Sequence, residues 1–328
     1  MPSAAYRQLM DLARRGQPLL LDGAVGTELQ RLGVPMDNTA WAAAALATHP
    51  DTVRDMHREY LEAGADIITT NTYASARHNL EPIGLGEQTL ALNRRAVDLA
   101  RQARDQFAAE RPVAIAGSVS HFGVLADGEP GLALHRHAKP GSQAEFSPEI
   151  ARRNIREQAE CLVEAGVDLL LLESTGNMTQ RRWLLEESER LDLPRWLGFR
   201  CRIDDGAVCV GYGSTERFDS ALSILDEHPV EGVAIFHSLV DDTSAGLEVL
   251  QRHWDGLIAL YPEAGRLDYT ATRRDENEDA NITPQELAAV FNAWLTAGAD
   301  VVGGCCGIDI EYYAGLRAKL EPHFNPPV

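Results

Sequence analysis

Apolar residues fall in short runs, each followed by a longer stretch in which Ala, Leu and charged residues recur at helical spacing, and this alternation repeats along 328 residues. Eight runs read as strands: PLLLDG (18–23), ADIITTN (65–71), VAIAGS (113–118), VDLLLLE (167–173), WLGFRC (196–201), GVAIFH (232–237), GLIALY (256–261) and ADVVGG (299–304). A run as continuous as VDLLLLE predicts a strand covered on both faces, the situation of a parallel sheet. Three helices end in the same phrase, YLEAGAD (60–66), LVEAGVD (162–168) and WLTAGAD (294–300), where Gly is predicted to cap the helix in a left-handed conformation before the next strand. Eight such units predict an α/β fold, the (β/α)8 TIM barrel. An open doubly wound sheet shares the alternation, but no Gly-rich dinucleotide fingerprint follows the first strand. No composition shift marks a linker, so residues 1–328 read as one barrel domain.

Two polar stretches break the rhythm, residues 123–148 after the third strand and residues 263–283 after the seventh. Both are expected to be loops over the active mouth of the barrel, because long loops in compact domains more often bind or cover than merely connect.

Composition narrows the function. Acidic residues outnumber basic ones 49 to 30, and the net charge of -19 argues against nucleic acid or an anionic membrane as partner. That excess also weakly favours cationic ligands, although a solubilising or salt-adapted surface accounts for it better. The first residues, MPSAAYRQLMDLARRG, read as an amphipathic helix of mixed charge rather than an export signal, and no run is long enough to span a membrane. A soluble, cytoplasmic protein is expected. Five cysteines, two of them adjacent, do not make a disulfide framework.

In a barrel the chemistry gathers at the C-terminal strand ends. Those ends carry Asp22, Asn71, Ser118, Glu173, His237, Tyr261 and the pair Cys305 and Cys306. Each alone can serve a structural hydrogen bond; together they converge on one mouth. The sharpest signal is GGCCG at 303–307, where glycines free the backbone to aim two thiolates at one zinc ion, the alternative being two buried free thiols. An open catalytic zinc site needs a third ligand, and His237 is the best candidate. Cys161, Cys201 and Cys209 read as packing residues.

The segments LLLDGAVGTELQRLG (19–33), DIITTNTYAS (66–75), AGSVSHFG (116–123), LLLLES (169–174) and GGCCG (303–307) resemble the homocysteine S-methyltransferase family in order and spacing. The resemblance spans nearly the whole chain and is to the single-domain members. It implies a (β/α)8 barrel, and its members use S-methylmethionine, S-adenosylmethionine, betaine or folate as methyl donors. It further implies Cys305 and Cys306 as zinc ligands. Asp22 and Glu28, with the backbone of Gly23 and Ala24, fall on the loop holding the amino-acid part of homocysteine, and Glu173 falls on the carboxylate meeting its ammonium. Carboxylates suit an ammonium, and backbone amides suit a carboxylate. Asn71 joins this substrate-binding set.

Two departures from the family stand out. The family has Gly-Ile-Asn-Cys after the sixth strand, with Cys as third zinc ligand; here a gapless alignment sets His237 on that Cys, and a shift of one residue would set Ser238 there, a poor ligand. After the seventh strand the family's Pro-Asn-Ser-Gly is replaced by Pro262, Glu263, Ala264, Gly265 and Arg266. The expected reaction is zinc-assisted transfer of a methyl group from a sulfonium or quaternary ammonium donor to a thiol, homocysteine giving methionine, with Asp22 and Glu173 serving the reaction. Trp41, Tyr73, Phe122, Phe236 and Tyr261 offer aromatic faces to the donor cation or simply pack. A zinc hydrolase with an activated water, and a diverged barrel with another acceptor or without turnover, are the competing readings.

Overall fold

In the computed structural model the described residues are 2–107, 111–124, 148–212, 214–265 and 281–324, so most of both long polar stretches lies outside them. Among these residues eight parallel strands form one sheet: β1 (Leu19–Leu20), β2 (Ile67–Thr69), β3 (Ala114–Ser120), β4 (Leu169–Ser174), β5 (Arg195–Phe199), β8 (Gly232–Phe236), β9 (Leu257–Tyr261) and β10 (Val301–Val302). The order is β1-β10-β9-β8-β5-β4-β3-β2. A parallel bridge between Leu21 and Ile67 brings the two ends together, with Asp66 N donating to Leu20 O at 2.7 Å and Asp22 N to Ile67 O at 2.9 Å. The sheet is thus a (β/α)8 barrel, and each of the eight sequence runs overlaps one of its strands.

Alternation along the strands splits the apolar residues into two layers. Leu19, Leu21, Ile67, Ala114, Ala116, Leu169, Leu171, Trp196, Ala234, Phe236, Ala259, Tyr261 and Val301 fill the interior, small residues making room for Trp196 and Phe236. Their neighbours Leu20, Ile68, Ile115, Leu170, Leu197, Val233, Leu260 and Val302 face the surrounding helices. The helix Ala4–Arg14 sends Tyr6, Leu9 and Met10 into the interior cluster. The Tyr6 hydroxyl accepts from Trp196 Nε1 and donates to Glu231, both at 3.1 Å, so this helix plugs one end of the barrel. Gly64, Gly166 and Gly298 all take positive φ, at 100°, 92° and 105°, as the repeated phrase requires.

One element differs from the sequence expectation. The fifth run does not continue to Cys201; β5 stops at Phe199, and Cys201 opens an antiparallel hairpin of β6 (Cys201–Asp204) and β7 (Ala207–Val210). Asp205 and Gly206, with φ 46° and 76°, form its two-residue turn. Among the described residues no helix is long and apolar enough to cross a membrane.

Candidate active site and metal centre

The C-terminal strand ends surround a cavity of about 130 Å³, room for an amino-acid-sized ligand rather than a single water. Gly303 and Gly304 shape one wall. A Cβ on Gly303 would stand 2.7 Å from Leu21 Cβ, and one on Gly304 2.4 Å from Ile308 Cγ2, so glycine at 303 lets the chain leaving β10 lie against the end of β1 and glycine at 304 lets it pack against Ile308. Cys305 N donates to Pro262 O at 2.8 Å, Ala264 N donates to Cys306 O at 2.9 Å, and Gly307, with φ 79°, turns the chain away. Both sulfurs thereby meet in the cavity, 3.8 Å apart.

His237 follows directly on β8 with a left-handed φ of 49°, a conformation rare for a residue with a Cβ. Its Nδ1 lies 3.7 Å from Cys305 Sγ, and one donor atom from each of His237, Cys305 and Cys306 lies within 4.8 Å of the others. Ser238, the other candidate of the alignment, is fully buried elsewhere: its hydroxyl donates to Phe236 O at 2.7 Å and accepts from Cys201 N at 2.8 Å. The three donors that face one another are therefore one imidazole and two thiols, a set able to hold a metal ion. Hydrogen bonding with Cys306 and burial push the Cys305 thiol up. Burial alone would lower the His237 pKa, but Tyr212, Cys306 and Glu263 outweigh it and hold it well above its ordinary value. A site that attracts a proton so strongly suits a cation.

Two carboxylates line the same cavity. Asp22 accepts from Thr69 N at 2.7 Å and Thr69 Oγ1 at 2.9 Å, yet burial still pushes its pKa to about 8. Glu173 accepts from the Ser118 and Tyr261 hydroxyls, and burial outweighs both bonds, raising it to about 7. Two buried carboxylates with raised pKa values, neither in a salt bridge among the described residues, form a corner that would gain from an incoming ammonium.

Asn71 also lines the cavity, with its amide donating to Ala42 O at 2.9 Å. Gly23 and Ala24 line it as well, but the Ala24 amide donates to Ile308 O and its carbonyl accepts from Tyr60, both at 2.9 Å. The Ala24 backbone groups hold the loop in place. Glu28 departs from the sequence expectation. It is fully buried on the helix Gly26–Arg31 outside the cavity lining, and its two oxygens accept from Arg31 Nη2 at 2.7 Å and Nε at 2.8 Å. Its charge is spent on an internal ion pair, so the structure does not bring it to the substrate loop.

Trp41, Tyr73, Phe122, Phe236 and Tyr261 all line the cavity, Tyr73 and Phe122 with ring centroids 5.4 Å apart and Phe236 and Tyr261 5.5 Å apart. Sequence reasoning missed three further residues. Thr69 fixes Asp22 through two bonds, Glu263 Oε2 lies 3.5 Å from His237 Nδ1, and Tyr212, brought in by the hairpin, hydrogen-bonds His237 Nε2. The Asp-Gly turn signal at 205–206 could have revealed the hairpin, and the altered segment after the seventh strand pointed at Glu263. Arg266 of that segment lies outside the described residues.

Nitrogen and sulfur donors beside an acidic corner at the mouth of a (β/α)8 barrel define the site of a barrel enzyme, one able to hold a metal ion and a cationic group together. Comparison with known proteins agrees. The family description homocysteine S-methyltransferase matches residues 19–320. The chain is 31% identical to the homocysteine S-methyltransferase of Escherichia coli strain K12, covering 92% of this chain and 94% of that protein. It is 30% identical to a selenocysteine methyltransferase of Astragalus bisulcatus, covering 96% of each. The metallated form of the homocysteine methyltransferase MmuM from Escherichia coli superposes with a TM-score of 0.73 at 27% identity, over 96% of this chain and 99% of that one. The chain belongs to the homocysteine S-methyltransferase family and is a methyltransferase.

Proposed function

We propose that this enzyme is a zinc-dependent S-methyltransferase that moves a methyl group from a sulfonium or quaternary ammonium donor to a thiol, with homocysteine as acceptor and methionine as product. The observation that carries the reading is the convergence of His237, Cys305 and Cys306 beside Asp22 and Glu173 in one cavity. Tetrahedral zinc with bonds of about 2.3 Å to sulfur and about 2.0 to 2.1 Å to nitrogen has S···S edges of about 3.8 Å and N···S edges of about 3.6 Å. The separations of 3.8 Å between the sulfurs and 3.7 Å between Nδ1 and Cys305 Sγ support a HisCys2 site of that size.

When bound, zinc supplies a Lewis acid that keeps an acceptor thiol ionised near neutral pH. The residues of the chain do the rest. Asp22 and Glu173 take the acceptor's ammonium, held at their angle by Thr69, Ser118 and Tyr261. That contact orients the sulfur toward the donor. The aromatic rings of Tyr73, Phe122 and Phe236 face a donor whose positive charge disappears as its methyl leaves, so they hold the substrate and release the neutral product. In the transfer the acceptor sulfur forms a bond to the methyl carbon, and the bond from that carbon to the donor's sulfur or nitrogen breaks with its electrons going to the donor.

The likeness to a selenocysteine methyltransferase supports a selenol as a second acceptor, since selenium is at least as soft a ligand as sulfur. Purified protein incubated with homocysteine and separate donors tests the reading. Methionine should form with at least one sulfonium or quaternary ammonium donor and be lost in Cys306→Ala; its absence with every donor would overturn the proposal.

A further inference from the structure

We infer that Tyr212 is the positioning residue that holds His237 in the tautomer whose Nδ1 lone pair faces the two cysteine sulfurs. The inference rests on the proposed role of His237 as a metal ligand. The two imidazole nitrogens have different surroundings: Nε2 is hydrogen-bonded to the Tyr212 hydroxyl, whereas Nδ1 faces Cys305 Sγ at 3.7 Å and Glu263 Oε2 at 3.5 Å. A neutral imidazole carries one proton, and only the nitrogen without it can bind a metal. Glu263 draws that proton toward Nδ1, which would close the ring to the metal. In the tautomer with the proton on Nε2, that N–H donates to the Tyr212 oxygen and the Nδ1 lone pair faces the sulfurs. Tautomer choice is thus a competition between a carboxylate on one side of the ring and a phenol on the other, and coordination at Nδ1 requires the phenol side to win.

Tyr212 is built to hold its place. It follows β7 of the hairpin between β5 and β8, and its amide donates to Thr175 O at 3.1 Å. Gly211 before it has φ 81°, and a Cβ there would stand 2.7 Å from Gly176 O, so the chain passes where no other residue fits. The Arg200 guanidinium carbon sits 4.1 Å from the centroid of the Tyr212 ring and pins its face. His237, in its left-handed backbone conformation, needs such external support to keep one ring orientation.

The test measures zinc affinity by competition with a chromophoric chelator in the full chain, for the wild type, Tyr212→Phe, Glu263→Gln and His237→Ala, alongside apo-protein melting. Loss of an outer partner of a ligating histidine costs about 10- to 100-fold in metal affinity. Tyr212→Phe should weaken zinc by that factor with its apo melting temperature unchanged, and adding Glu263→Gln should recover part of the loss. In wild-type protein loaded with Co2+, NMR should show a slowly exchanging, hyperfine-shifted N–H on Nε2 of His237, and Tyr212→Phe should speed its exchange. Wild-type zinc affinity in Tyr212→Phe, or coordination through Nε2 in the wild type, overturns the inference even if His237→Ala loses the metal. Undiminished zinc affinity in His237→Ala overturns the ligand assignment beneath it. The NMR result stands on the wild type alone, so a variant that fails to fold does not remove the test.

Discussion

The Tyr261 hydroxyl donates to Glu173 Oε1 at 3.3 Å, tying the end of β9 to the end of β4 across the interior of the mouth. With Ser118 on the other oxygen, the hydrogen-bond donors to Glu173 among the described residues are hydroxyls, and these do not offset the cost of burying its charge.

That imbalance makes the metal-free protein pH-sensitive. Glu173 rises from 4.5 to about 7 on folding and Asp22 from 3.8 to about 8, so the folded state binds protons more tightly than the unfolded one. The stability these groups contribute is fully present below about pH 4 and is lost as the pH rises through 7 and 8. For Glu173 the loss is on the order of 3 kcal/mol. In urea titrations of apo protein, Glu173→Gln should be more stable than the wild type at pH 8.5 and no more stable at pH 4; equal stability at both would remove the argument.

The same carboxylates should govern acceptor binding. Ionised, they attract an ammonium; protonated, they do not. KM for the amino-acid thiol should fall as the pH rises from 6 to 8, and Glu173→Gln should raise it at pH 8 by at least about tenfold, the loss of one charge-assisted hydrogen bond of about 1.5 to 3 kcal/mol. A thiol lacking the amino group should show neither effect in steady-state kinetics.

Glu28 gives the opposite expectation. Its oxygens are committed to Arg31, so Glu28→Gln should lower unfolding free energy by about 1 to 3 kcal/mol while leaving the acceptor KM within about twofold. A large rise in KM with unchanged stability would return Glu28 to the substrate loop.

Gly303→Ala probes how the thiols are aimed. The new methyl would meet Leu21 Cβ and the carbonyls of Leu21 and Asp22 at 2.7 to 3.0 Å, forcing the chain after β10 outward. Stability should drop by about 1 to 3 kcal/mol and zinc affinity should fall with it. Normal zinc binding in this variant would show that the close approach to β1 does not set the sulfur positions.

Much of the barrel was legible because its strands are covered on both faces, so each appears as an apolar run, and because the same Gly cap recurs before three of them. Cys305 and Cys306 were legible because they are neighbours in sequence. The rest depends on what the fold brings together. Nothing local links His237 to Cys305, 68 residues away, or Tyr212 to His237, and the left-handed backbone at His237 has no signature in its residue type. The hairpin escaped because its strands are four residues each and β6 is only partly buried, which leaves little hydrophobic pattern to read. Glu28 was misplaced because a motif fixes a residue's position in the chain but not the partner its side chain finds.

The most direct test of the central claim is a zinc titration of chelator-stripped enzyme, reading transfer of a labelled methyl group from the best donor to homocysteine. Stripped protein should be inactive, activity should return in proportion to zinc and saturate at one ion per chain, and His237→Ala should stay inactive at stoichiometric zinc. Full transfer by the stripped enzyme, or saturation in His237→Ala at the wild-type level, would contradict the account.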